Sequence, residues 1–583
     1  MREYRETDFP ACDGERLYCR HWPASGPSQG AIVLLHRGHE HSGRMAHLAD
    51  ELGMPGFDVF AWDARGNGRS PGARGDAPGF ETLVRDLDAF VAWIGREHGI
   101  DHERIAVVAQ SVGAVVAATW VHDYAPRLRA LVLASPAFQV KLYVPFAIPG
   151  LRLLHALRGN FFVNSYVRPE FLTHDPERIA SYRRDPLVTR PISVRVLLGL
   201  YDAAKRIVDD AHAIIVPTQL LVSGSDFVVH RAPQDRFFER LGAHVKERHL
   251  LPGFFHDTLG ERDRATAVGK IRDFLQARFA GDLSAPSLLD AHRHGHSFDE
   301  SQVLAWPPPR WSAKDLYWRA TRTGLRLGGR LSSGIRLGLE TGFDSGSTLD
   351  YVYANQPRGS GPLGRLIDRN YLDAIGWRGI RVRREHLHAL LGEALRRLRA
   401  EGRPVVAVDI AAGHGRYVLE ALAVGSGRAD RILLRDYSPL NVDGGRRLIE
   451  EFGATDIATF EAGDAFDRAS LAALEPGPTL AIVSGLYELF PDNAPVRESL
   501  AGLADAVPTG GYLVYTGQPW HPQLEFIARA LTSHRGGAAW VMRRRSQAEM
   551  DQLVAAAGFR KVEQRIDRWG IFTVSLAVRT DGR

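Results

Sequence analysis

The sequence predicts an α/β protein built on two doubly wound sheets. Three observations carry that prediction. Short buried-strand runs alternate with helical patterns over residues 1–281, the alternation starts again near Thr348, and the stretch between fits neither pattern. At roughly 100–200 residues per domain, 583 residues leave room for two sheets and their additions.

The first strands read at 31–36, 58–61, 105–109, 130–134 and 219–223, each nearly all apolar. Continuous apolar runs suit parallel strands covered on both faces. From about 138 to 213 the alternation breaks. This stretch is aromatic and arginine-rich, with prolines at Pro145, Pro149, Pro169, Pro176 and Pro186. It lies between two strands of the expected sheet and reads as an inserted cap, with Phe138, Phe146, Leu151, Leu154, Phe161, Phe162 and Tyr166 as apolar walls. Residues 282–347 read as a linker, on Pro307-Pro308-Pro309 and a Gly/Ser/Arg-rich run over 321–342. In the second domain, 348–583, strands read at 405–409, 431–435, 480–484 and 512–516, with a closing hairpin over 560–566 and 570–578.

Composition narrows the class. Apolar residues are 45% and charged residues 24%, the balance of an ordinary globular protein with a large core. The two cysteines, Cys12 and Cys19, form neither a disulfide framework nor a zinc site, so no metal is expected and a reducing cytoplasm fits. The first ten residues are charged and lack the apolar run of a signal peptide. No run of about 18 apolar residues suggests a membrane span. The net charge of +5 reflects an arginine-rich composition, and no nucleic-acid recognition module is present. In the linker, Trp311 and Trp318 interleave with Arg319, Arg322, Arg326, Arg330 and Arg336. Such a segment is either an interfacial helix on anionic lipid or a solvated helix packed between domains. Its frequent glycines favour the second, and peripheral membrane contact stays the alternative.

The N-terminal chemistry centres on Ala109-Gln110-Ser111-Val112-Gly113, where an apolar strand meets a helix. Small residues flank the serine because the strand-to-helix turn is tight, and the turn lifts Ser111 Oγ above the sheet. A serine needs a base, and the base an orienting acid, here in the chain order Ser, Asp/Glu, His. Asp226 follows the strand at 219–223, and His256 follows the apolar run at 249–251. Asp209 and Asp210 precede their strand, His249 sits inside one, and His230 follows the acid too soon. An oxyanion hole needs backbone N–H groups: one from Val112 and one from the loop after the first central strand, at Arg37 or Gly38.

That loop, His36-Arg37-Gly38-His39-Glu40-His41-Ser42-Gly43-Arg44, together with Asp63-Ala64-Arg65-Gly66-Asn67-Gly68-Arg69-Ser70 and the serine turn, resembles the monoacylglycerol lipase and lysophospholipase branch of the α/β-hydrolases. The resemblance covers residues 1–281 and implies ester hydrolysis on a lipid-like or other acyl substrate beneath a helical cap. One departure stands out: Arg37 occupies a position that is glycine in that branch.

The C-terminal chemistry begins at Asp409-Ile410-Ala411-Ala412-Gly413-His414-Gly415, a buried strand ending on an acid and a glycine turn. Small residues let a backbone approach a ligand closely, and an acid there suits a cationic ligand rather than a pyrophosphate. Asp436 ends the next strand, where a ribose diol would be held. Gly463-Asp464-Ala465-Phe466 supplies an acid and an apolar wall for an adenine ring. A dinucleotide-binding domain and a methyltransferase compete on these signals. The acid before the glycines, Gly-Asp-Ala-Phe and the terminal hairpin resemble a Rossmann-like class I methyltransferase over 348–583. That resemblance implies S-adenosyl-L-methionine as cofactor, with Asp409, Gly413 and Gly415 at its methionine end, Asp436 on the ribose, and Asp464 with Phe466 on the adenine. The methyl acceptor is open. Tyr487 and Glu488, after the fourth strand, are candidates to orient or deprotonate it, with a cap and a core aromatic as their plainer reading. Residues 351–355 and 377–381 are candidates for a lid. The whole resembles a bifunctional hydrolase–methyltransferase fusion. The rival reading is a scaffold or binding protein with one inactive domain, kept alive by Arg37 and by Ala411 in place of a first glycine.

Overall fold

In the computed structural model, which describes residues 2–283, 285–425 and 427–581, the chain forms two units, Met1–Pro286 and Ser287–Arg583. The first is built on the strands β1 (Arg5–Pro10), β2 (Arg16–Trp22), β3 (Ala31–Leu35), β4 (Asp58–Trp62), β5 (Ile105–Gln110), β6 (Ala130–Ala134), β9 (Thr218–Ser223) and β10 (Lys246–Leu251); the short β7 (Phe162–Asn164) and β8 (Pro191–Ser193) pair with each other in the cap. The main sheet runs β1-β2-β4-β3-β5-β6-β9-β10. From β4 onward all neighbours are parallel, and β1 and β2 form an antiparallel margin. Every residue of β3, β5 and β6 is buried. Helices on both faces explain this: Val112–Tyr124 is buried almost all round, and Ala265–Ala280 covers the opposite face with Val268, Ile271, Phe274 and Leu275. Each such side chain contributes about 1.5–3 kcal/mol by leaving water, so an Ile271→Asp change would unseat that helix.

The cap, between β6 and β9, holds helices Ala147–Arg158, Pro176–Arg184 and Val194–Asp209. The second starts where it does because the Asp175 side chain accepts from the Glu177 and Arg178 amides and Pro176 needs no partner there. Of the apolar cap residues expected to face inward, Phe138 is buried, but Phe146 is 85% exposed and Leu154 and Phe162 are exposed. Helix Ala147–Arg158 buries none of its residues.

The second unit has strands β11 (Val406–Asp409), β12 (Arg431–Asp436), β13 (Ala458–Ala462), β14 (Leu480–Val483), β15 (Tyr512–Gly517), β16 (Phe559–Ile566) and β17 (Thr573–Arg579), in the order β13-β12-β11-β14-β15-β17-β16. The first five are parallel, and β17 inserts antiparallel between β15 and β16. Strand order reverses between β11 and β14, where doubly wound sheets open a crevice at their C-terminal ends.

The expected linker is not one. Residues from Ser287 onward belong to the second unit, and helices His296–Ala305, Ala313–Gly329, Ser333–Thr341 and Gly346–Ala354 occupy most of 296–354. Ser312, Ser332 and Ser345 each cap the following helix through the amide three residues on. The glycines make room for close packing against aromatic rings rather than loosen the chain. A Cβ on Gly334 would stand 2.6 Å from the Tyr371 ring, and one on Gly338 would stand 2.4 Å from the Phe343 ring. Trp318, Ile335 and Phe343 are buried there. Among the described residues no helix is long and apolar enough to cross a membrane.

Candidate active sites

In the first unit, β5 delivers Ser111 with φ +54° and ψ −114°, a conformation that L side chains rarely hold. The fold over-determines it. The Ser111 amide donates to the Ala134 carbonyl at 3.0 Å, and its own carbonyl accepts from the Ala137 amide at 3.1 Å. Gly113 is needed because a Cβ there would stand 2.5 Å from the His36 carbonyl oxygen. Beyond β9 and β10 lie Asp226 and His256. His256 Nε2 is 2.8 Å from Ser111 Oγ, and His256 Nδ1 is 2.8 Å from Asp226 Oδ2. Asp226 Oδ1 accepts the Val228 and Val229 amides at 2.7 and 3.0 Å, which fixes the carboxylate. All three residues are buried. Burial alone would raise the Asp226 carboxyl; His256 and the two amides outweigh it and hold it below the usual carboxylate range. The rival residues are engaged elsewhere: Asp209 with Lys205, Asp210 with His122, and His249 with Glu247, while His230 precedes a helix.

Val112 opens the helix after the serine, and a Cβ on Gly38 would stand 3.1 Å from Val112 Cγ2, so the loop and the serine turn pack face to face. The second quoted motif braces this loop: Asp63 accepts the Ser42 and Arg69 amides at 2.6 and 2.8 Å, and His36 Nε2 accepts the Ala64 amide at 3.0 Å. The Arg37 side chain has a built environment. Its Nη2 donates to Glu40 at 2.7 Å, its Nε lies 3.9 Å from Asp257, and its guanidinium sits over the Tyr182 ring. Arg44 also reaches Glu40, at 3.1 Å. Asp257 accepts from Gln110 at 3.0 Å and from Arg178 of the cap at 2.9 Å. Glu40, Asp257, Arg178 and Gln110 were absent from the sequence-derived site. Gln110 and Asp257 could have been found as the chain neighbours of Ser111 and His256. Near the N-terminus, Cys12 lies with Asp13 and Asp86, and Arg65 pairs with both acids.

In the second unit, Asp409 ends β11 fully buried, with the Tyr417 hydroxyl donating to one oxygen and the Ala411 amide to the other. Burial pushes its carboxyl up to about 7. It therefore sits beneath the glycine turn rather than on its open side. Gly413 and Gly415 adopt φ of +59° and +76°. Among the described residues, its own chain neighbours aside, a Cβ on Gly413 would meet within 4 Å the Gly346 Cα alone, at 3.5 Å, so this turn has space beside it. Asp436 ends β12 and accepts the Gly413 and Ser438 amides at 3.0 and 2.9 Å. Each oxygen keeps a further lone pair for a ligand hydroxyl. After β13, the Asp464 side chain accepts the Phe466 amide at 2.9 Å and is exposed, and the Phe466 ring stands edge-on to Phe490. These groups fit a ligand with a diol and a flat ring laid across the strand ends.

Of the two readings open for Tyr487, the structure fits the core aromatic: its ring lies in a buried cluster and its hydroxyl meets Ser499 Oγ at 3.0 Å. Glu488 is buried too, but it borders a cavity of about 370 Å³ with Arg383 Nη1 3.3 Å from its Oε1. Trp377 of the expected lid lines the same cavity, whereas the Tyr351 hydroxyl is bound to Asp368.

By fold, the chain joins an α/β-hydrolase with a helical cap to a class I methyltransferase. It belongs to the family described as "Putative methyltransferase", whose model matches residues 271–579, and residues 26–263 match the model "Serine aminopeptidase, S33". It is 56% identical over 577 residues, 99% of this chain and 98% of the other, to "Uncharacterized protein YnbC" of Escherichia coli (strain K12). The N-terminal half is 26% identical over 280 residues to "Monoacylglycerol lipase" of Mycolicibacterium smegmatis, covering 46% of this chain and 96% of that one. The crystal structure of Paleococcus ferrophilus monoacylglycerol lipase aligns with a TM-score of 0.41 and 24% identity, covering 47% of this chain and 99% of that one.

Proposed function

We propose that the chain is bifunctional: a serine-dependent hydrolase of lipid-like acyl esters and an S-adenosyl-L-methionine-dependent methyltransferase. The observation that carries the first activity is His256 bridging Ser111 and Asp226 at 2.8 Å on each side. His256 Nε2 takes the proton of Ser111 as Oγ attacks the ester carbonyl. The amide of Val112 and one from Arg37 or Gly38 receive the developing oxyanion. His256 then protonates the leaving alcohol, and water releases the acyl group by the same route. The likeness to monoacylglycerol lipases supports a lipid-like ester. So does helix Ala147–Arg158, which offers Leu153 and Leu157, 62% and 73% exposed, beside Phe146. We assign peripheral contact with lipid to this helix rather than to residues 282–347.

For the second activity, Gly413 and Gly415 would take the methionine end of the cofactor, Asp436 the ribose, and Asp464 with Phe466 the adenine. When bound, the cofactor supplies an electrophilic methyl group. The protein's share is alignment and exclusion of water. Turnover of p-nitrophenyl esters and calorimetric titration with S-adenosyl-L-methionine test the two halves separately. A chain inert to the first, or one that binds none of the second, rejects that half.

A further inference from the structure

The cavity beside Glu488 is lined by residues of 325–383 and 518–542, by the chain after β14 and by Phe572. Its walls are apolar, among them Phe343, Trp377, Ile380 and Phe526, and its volume falls in the range of about 300–1,000 Å³ that holds small organic ligands. Asp344, Asn370, His521 and Gln523 add polar groups to the lining, and a further polar set stands at the strand ends: Gly485 and Glu488 follow β14, Gln518 follows β15, and Arg383 comes from helix Ile375–Ala400. Three buried atoms of these side chains have no hydrogen-bond partner among the described residues: Glu488 Oε2, Gln518 Nε2 and Arg383 Nε. Leaving such atoms unmet is unfavourable, so a ligand that meets them is favoured.

The three atoms select the ligand's polar group. Glu488 Oε2 calls for a donor; Gln518 Nε2 and Arg383 Nε call for an acceptor. A hydroxyl is both. A carboxylate only accepts and would be repelled by Glu488. An ammonium only donates and would leave both N–H groups unmet. The Arg383–Glu488 pair is neutral in sum; of the other charged groups nearby, Asp344 is held by Ser533 and His534, and Arg545 lies 3.9 Å from Glu549.

We propose that this cavity is the methyl-acceptor pocket and takes an uncharged molecule with an apolar body and a hydroxyl head, which the second unit methylates on oxygen. The proposal rests on the methyl-transfer reading above. The hydroxyl oxygen bonds to the methyl carbon as the carbon–sulfur bond of the donor breaks and the thioether leaves. The hydroxyl proton passes to Glu488 Oε2. Burial raises the Glu488 carboxyl above its usual range, which makes it a better proton acceptor.

Photo-crosslinking of the full chain with a diazirine-bearing dodecanol, and with the matching dodecanoate and dodecylamine, tests the proposal. Labelled peptides from the alcohol should map to 325–400 and 518–542 and fall about tenfold in Ile367→Trp, which plugs the cavity from a partly exposed position. Asn370→Trp, from the exposed rim, is a second plug. Calorimetry with S-adenosyl-L-methionine should give the same affinity in wild type and both plugs, which shows the unit intact. Glu488→Gln should keep the crosslink and lose about 10²- to 10⁴-fold in transfer to dodecanol. Absence of label from these peptides, label indifferent to both plugs, or a carboxylate or amine that labels better than the alcohol overturns the proposal. A wild-type chain that binds no cofactor yet labels as described removes the methyl-transfer reading and leaves the pocket assignment standing.

Discussion

Arg178 of the cap donates its Nε to Oδ2 of Asp257 at 2.9 Å, and Asp257 is the residue that follows His256 in the chain. The opposite oxygen of Asp257 takes Gln110, the residue before Ser111. Cap and reaction centre are thus joined through one buried carboxylate. Burial would raise that carboxylate; Arg178 and Arg37 reverse this and hold it far below its usual range. Arg178→Met leaves Asp257 without its main partner, a loss that costs about 3–5 kcal/mol when the pair is buried. Thermal unfolding should shift downward and ester turnover should fall with it. A variant as stable as wild type would show that the cap is held by packing alone.

Ser111→Ala should abolish labelling by a fluorophosphonate probe and lower p-nitrophenyl ester turnover by about 10³-fold or more. His256→Ala should cost nearly as much, because the serine then lacks its proton acceptor. Residual turnover near the wild-type level in either variant would mean another nucleophile.

These residues were legible because the chemistry is written locally. Ser111 sits between small residues after an apolar strand, and its partners follow later strands in the expected order. The buried parallel strands were readable for a similar reason: β3, β5 and β6 are apolar end to end. What escaped was meaning supplied by partners distant in sequence. Gly334 and Gly338 looked like loose chain and are packed closely on the rings of Tyr371 and Phe343. Tyr487 could be read as an acceptor contact or a core aromatic, and only Ser499, further along the chain, decides for the second. Arg37 looked like a defect until Glu40, Asp257 and Tyr182 were seen around it. The margin strands β1 and β2, rich in charged residues, lacked an apolar run to announce them.

If helix Ala147–Arg158 meets lipid, Leu153→Glu with Leu157→Glu should slow hydrolysis of a monoacylglycerol presented in vesicles by tenfold or more, since each loses on the order of 2 kcal/mol of apolar burial. Turnover of soluble p-nitrophenyl butyrate should be unchanged. Equal loss on both substrates would locate the effect in the reaction centre instead.

Asp436→Ala should weaken S-adenosyl-L-methionine binding by roughly ten- to a hundredfold, equivalent to about 1–3 kcal/mol. Ester turnover should not change, since the two reaction centres share no residue. Titration calorimetry and an esterase assay on the same preparation check both halves, and normal cofactor affinity would reject the ribose assignment.

The carboxyl of Asp409 titrates near 7 in the folded chain, because it is buried, and near 4 when unfolded. The folded state therefore keeps a proton that the unfolded chain releases. The stability this group contributes is complete below about pH 4, declines as pH rises, and is gone above about pH 7. Asp409→Asn removes that dependence. Relative to wild type, the variant should gain stability between pH 4 and pH 8 by on the order of 2–4 kcal/mol, read from unfolding at each pH. A difference that stays flat with pH would show that Asp409 is ionised throughout.

The left-handed backbone of Ser111 bears on descent as well as on chemistry. A non-glycine residue in so sparse a region costs about 1–3 kcal/mol, and glycine would relieve it. Replacement by glycine therefore runs downhill in energy, toward a sturdier domain without the hydroxyl. A lineage with no use for the oxygen has every physical incentive to lose it. The serine is held at a cost in stability, and what the fold keeps in return is a hydroxyl 2.8 Å from His256 Nε2.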